Sequence, residues 1–135
     1  MSEYNLSFMQ TVIPKPEIMA TRKQVIDKII EELAEQGIQV FYLNGREISS
    51  KETFLRKAAE AMQFPTYFGG NWDAFDECIT DLTWFPAKSY VLLYERPDIF
   101  AQAEPTEWQI AVDILRSAEE YWQIANKPLN VFFVS

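Results

Sequence analysis

The chain of 135 residues contains no histidine and a single cysteine. Without histidine it lacks the commonest general base and the commonest ligand for transition metals. Ser/His/Asp and Cys/His nucleophilic arrangements are therefore impossible. A lone Cys78 excludes an internal disulfide and a thiolate zinc cluster. It falls on an apolar helical stripe, where a small buried hydrophobe is expected and not a nucleophile. There are four glycines, and neither Gly45 nor the Gly69-Gly70 pair opens a Rossmann or Walker pattern. No cofactor and no metal is expected. No apolar run approaches the length of a membrane span. Met1-Ser2-Glu3-Tyr4 carries neither the basic nor the apolar part of a secretory leader, so the cytoplasm is the expected compartment.

What is present reads as globular: 48% of residues are hydrophobic and 24% charged. The length suits one domain with one sizeable core. The net charge of −8 argues against nucleic-acid and anionic-membrane partners and favours a basic protein partner. Aromatics reach 15%, and aromatics beyond the needs of a core tend to line contact surfaces.

Along the chain, residues 3–13 alternate weakly and suit a short strand or extended arm, ended by Pro14-Lys15-Pro16. Thr21 and Gln24 resemble a capping box, opening a helix through about Gln36 with a stripe of Val25, Ile26, Ile29, Ile30 and Leu33. That stripe needs cover, so the helix is expected to lie over a bare face or edge of the sheet. Residues 38–43 read as a strand closed by Asn44-Gly45, and Ser49 with Glu52 as a second capping box opening a helix. Residues 90–94 form a near-continuous apolar run, as in a strand covered on both faces. A long helix is expected from about Pro105 or Thr106, and a last strand from Leu129 to Val134. Trp84, Trp108 and Trp122 are assigned to packing, and Trp72 to either core or surface. Strands alternating with helices predict an α/β fold with a small parallel sheet of three strands, or four if the N-terminal arm joins.

The stretch from Phe64 to Leu82 carries the functional signal. Pro65 and Gly69-Gly70 mark a loop, and Asn71 suits the N-cap of a helix over residues 72–82. Phe75, Cys78, Ile79 and Leu82 share one face; Asp73, Asp76, Glu77 and Thr80 share the other, with Asp81 beside them. No Lys or Arg occurs between Ala58 and Ala87. Like charges at this spacing each destabilise a helix by roughly 0.2–0.5 kcal/mol. A local rule broken without compensation often marks a functional site, although charge alone fits a solvated acidic face equally well. Hydrolytic carboxylates usually converge from different elements on a bond or ion. Acids spread along one convex helix do not, so an enzyme is not expected. Such a helix instead suits the cationic concavity of an RNA-cleaving enzyme, its carboxylates substituting for phosphates.

The residues Phe64-Pro65-x-Tyr67-Phe68-Gly69-x-Asn71-x-Asp73-Ala74-x-x-Glu77-Cys78, with Leu43-Asn44-Gly45 and Ile48 before them, closely resemble the barstar family of intracellular ribonuclease inhibitors. The likeness spans about Ile38 to Ser135. With no internal repeat, low-complexity tract or linker, residues 1–135 read as a single domain, in which 38–135 are the barstar-like core and residues 1–37, an extension with one helix, have no counterpart in the family's short inhibitor. The likeness implies inhibition of a basic, barnase-like ribonuclease by plugging its active site. Tyr67, Asn71, Asp73 and Thr80 match contact residues of the family. Glu77 stands where the family's deepest-inserting acid is Asp, and Asp76 replaces an aromatic contact. Ser117 replaces a helix-borne acid, with Glu119 or Glu120 as substitutes. These departures leave open a second reading, an interaction module of the same fold that binds a non-nuclease basic partner.

Overall fold

A computed structural model describes residues 16–65 and 69–135, with side chains from residue 22 onward. In chain order the elements are α1 (Pro16–Glu35), β1 (Ile38–Asn44), a 3-10 turn (Gly45–Glu47), α2 (Lys51–Met62), α3 (Trp72–Ile79), β2 (Ser89–Glu95), α4 (Asp98–Ala103), α5 (Pro105–Ile124) and β3 (Leu129–Val134). The three strands are parallel in the order β1-β2-β3, with Phe41 beside Leu92 and Leu92 beside Val131. Residues 3–13, the candidate fourth strand, lie outside the described residues.

Strand alternation sorts the sheet into two faces. Phe41, Leu43, Tyr90, Leu92, Tyr94, Leu129 and Val131 face a cluster formed with Phe54 and Met62 of α2, Phe75 and Ile79 of α3, Phe100 of α4, and Leu115 and Trp122 of α5. Rings lock this layer: Phe54 lies 5.3 Å from Phe75, 6.0 Å from Tyr94 and 5.6 Å from Phe100 between centroids. Fully burying one such side chain stabilises by about 1.5–3 kcal/mol. Trp84 and Trp108 pack against the same cluster, in keeping with the role expected of them.

The opposite face takes α1. This helix packs on β1, and Ile26, Ile29, Val40 and Leu93 are buried there apart from the main cluster. Arg22 of α1 is ion-paired with Glu95 at the end of β2, both nearly inaccessible. The helix thus covers part of the sheet, as its apolar stripe demands.

Several boundaries differ from the sequence reading. The first helix begins at Pro16 and not Thr21, since proline suits a first turn whose N–H groups have no intrahelical acceptor. The second capping box is shifted by one residue: Ser50 Oγ accepts from Thr53 N at 3.1 Å, and Thr53 Oγ1 accepts from Ser50 N at 3.0 Å. Its neighbour Lys51 N donates to Glu104 Oε1 at 2.7 Å, so a side chain 53 residues away also satisfies this helix start. The short α4 adds an element that the sequence reading does not contain. The long helix starts at Pro105 as expected, with Glu104 at its N-cap. Among the described residues no helix is long and apolar enough to cross a membrane.

Candidate partner-binding surface

The loop after α2 opens at Gln63, which takes a left-handed conformation (φ 52°) and donates its N–H back to Glu60 O at 3.3 Å. Tyr67 lies outside the described residues. Gly70 has φ 73°, a conformation that strains any side chain, and it brings Asn71 to the head of α3. Asn71 is extended (φ −127°, ψ 173°), and its Oδ1 accepts from Ala74 N at 2.8 Å. The cap expected from the sequence is thus in place, worth about 1 kcal/mol relative to alanine.

The helix splits as its periodicity requires. Phe75, Cys78 and Ile79 are buried, while Asp73, Asp76 and Glu77 are exposed. Trp72 turns sideways into packing. Its ring lies 5.7 Å from Phe54, Lys51 sits over it, and its Nε1 donates to Glu107 Oε2 at 2.8 Å. Among the described residues, none of the carboxylates of Asp73, Asp76, Glu77 and Asp81 has an ion-pair or hydrogen-bond partner. Thr80, half-buried, donates its hydroxyl to Asp76 O at 2.8 Å, leaving the oxygen able to accept from outside.

The helix is shorter than the 72–82 expected and ends at Ile79. Two tertiary contacts stop it. Leu82 turns into the core with φ 49° and 1% exposure, and Trp122 Nε1 of α5 donates to Ile79 O at 2.8 Å. That indole is a positioning group as well as the packing residue the sequence suggests. Asp81 is consequently off the helix and half-buried.

On α5, Ser117 is exposed and carries no charge. Glu119 is committed within the chain: one oxygen takes Arg116 Nη1 at 2.8 Å, and the other accepts from Val131 N at 2.8 Å. It covers an open donor of β3 and is not free to replace the missing acid; Glu120 is exposed. Burial, with the charges of Asp81 and Glu77 added, pushes the Cys78 thiol above its ordinary pKa, which keeps it a neutral core group. Among the described residues no group of three or more His, Cys, Asp or Glu is placed to hold a metal ion.

Among the described residues the arrangement is a strip of exposed carboxylates along one helix face, of a kind suited to recognising a cationic partner. A search of curated proteins finds no match to the chain. The family model described as Barstar (barnase inhibitor) matches residues 38–134, which takes in all three strands and the acidic helix. With its parallel three-stranded α/β fold and a match over most of its length, the chain belongs to the barstar family.

Proposed function

We propose that the protein is a cytoplasmic inhibitor of a basic, barnase-like ribonuclease, and that it seats α3 and the preceding loop in the enzyme's phosphate-binding cleft. The observation that carries this reading is the set of three exposed helix carboxylates, Asp73, Asp76 and Glu77, without a partner among the described residues of their own chain. A nuclease holds its substrate with Arg and Lys, and carboxylates on a rigid helix offer those cations acceptors without the cost of ordering a flexible loop. Asn71 and Tyr67 would contact the rim of the cleft, and Thr80 would accept from a donor there. Residues 1–37 form an extension of the same unit, within which α1 braces the sheet.

The test is inhibition of candidate microbial ribonucleases at low and moderate salt. Inhibition should weaken with salt, and Asp73→Ala should cost about 2–5 kcal/mol of affinity. That scale comes from charge pairs at protein interfaces, the barnase–barstar complex of this same family among them. No inhibition of any basic ribonuclease, or an Asp73→Ala variant that inhibits as well as the parent, refutes the assignment. The neutral Ser117 and the committed Glu119 favour a second reading, in which the same surface binds a basic protein other than a nuclease. Capture of such a protein by the wild type and not by Asp73→Ala would favour it.

A further inference from the structure

Among the described residues, the large hydrophobic side chains left in solvent are Tyr121, 49% exposed, and Ile124, 87% exposed. Both lie in the last turn of α5, three residues apart and so neighbours on its surface. Exposed hydrophobics scattered singly are ordinary, whereas a pair on one turn asks for a reason. Its surroundings supply one. Glu107, Ile114 and Tyr121 recur every seven residues and therefore share one side of the helix. Glu107 accepts from Trp72 Nε1 at the start of α3, and Ile114 packs against the core cluster. Trp122, next to Tyr121, donates its Nε1 to Ile79 O at the end of α3. That side of α5 thus borders α3 from end to end, and the exposed pair flanks the end of the acidic strip.

The size of α3 makes this neighbour matter. The helix has eight residues and is about 12 Å long at 1.5 Å per residue. A stable interface takes roughly 800 Å² from each partner, over about 20–30 residues. A protein seated on the α3 carboxylates must therefore rest on the flanking elements too, and α5 packs directly against α3. On the side toward α3, what α5 offers is not ionic: Ser117, one turn before Tyr121, is exposed and neutral. The Tyr121 ring meets Trp122 edge-on, 5.3 Å between centroids, so little freedom is left to lose when it is covered. A second copy of this chain is a poor occupant. Glu120 is exposed beside Tyr121 and the chain carries a charge of −8, so two such surfaces repel each other.

We propose that Tyr121 and Ile124 are an apolar arm of the partner-binding surface, and that the basic protein seated on α3 carries, beside its cationic cleft, an apolar patch that covers them. This rests on the reading of α3 as the element that docks into a ribonuclease. It adds what that reading lacks, a contact that selects among basic partners by shape and apolar area and not by charge.

The test is the inhibition constant of the full chain against a panel of secreted basic ribonucleases, barnase included, at low and high salt. Against an enzyme that the parent inhibits, Ile124→Ser and Tyr121→Ser should each weaken binding about tenfold, mainly through faster dissociation. The factor should be the same at both salt concentrations, because apolar burial is not screened, whereas the loss in Asp73→Ala should shrink with salt. Ile124 is 87% exposed, so its substitution leaves the core intact and the comparison stands even if Tyr121→Ser destabilises the fold. An Ile124→Ser variant that inhibits as tightly as the parent overturns the proposal, as does a loss that fades with salt. A parent that sediments as a dimer dissolved by Ile124→Ser overturns it as well, assigning the patch to a second copy. A parent that inhibits no enzyme of the panel removes the ribonuclease reading and this inference together, which distinguishes that failure from the others.

Discussion

Glu77→Gln should make the free protein more stable while weakening its complex. Glu77 is exposed, without a partner among the described residues, and sits in the last turn of α3, which holds no basic residue. A negative charge there opposes the helix dipole by about 0.3–1 kcal/mol. Asp73, one turn earlier, adds a like-charge penalty of about 0.2–0.5 kcal/mol. Glutamine keeps the shape and nearly the same helix propensity, so removing the charge should stabilise by about 0.5–1.5 kcal/mol. For a chain of this length the unfolding entropy is about 0.28 kcal/mol/K, which converts the gain to a rise of about 2–5 °C in Tm. Both contributions are solvent-exposed and should nearly vanish in 1 M NaCl, where the screening length is about 3 Å. Thermal unfolding of parent and variant at low and high salt, beside inhibition assays, reads both effects. A variant that melts lower at low salt refutes the reasoning, as does one whose gain is unchanged by salt. The first result would mean that Glu77 has a favourable partner within its own chain, and the second that its cost to the helix is not electrostatic.

Two further perturbations probe the scaffold. Gly45→Ala would drive a Cβ into the backbone carbonyls of Glu95 and Arg96, and should cost about 3 kcal/mol in urea unfolding because backbone cannot move aside. Cys78 should resist alkylation at pH 8 in the native protein and react once unfolded. Its raised pKa means that the unfolded chain loses the thiol proton first, so stability should fall as pH rises above about 8.5, and fall less in Cys78→Ala.

The order of strands and helices was legible in the sequence because it rests on local causes: apolar period, caps and turn residues. The inward set Phe75, Cys78 and Ile79 follows from the 3.6-residue period, and the Asn71 cap from a short side chain reaching three residues ahead. The same period puts Asp73, Asp76 and Glu77 on the solvent face. Other features were decided by partners far along the chain. The end of the helix at Ile79 depends on the Trp122 indole, and the commitment of Glu119 depends on an open donor of β3. The Arg22–Glu95 pair joins residues on α1 and β2 that no local pattern connects. Periodicity tells which side of an element turns inward, because that depends on neighbours three or four residues away. Which groups then meet there depends on how the crossovers stack the elements, and that is settled only when the sheet has formed.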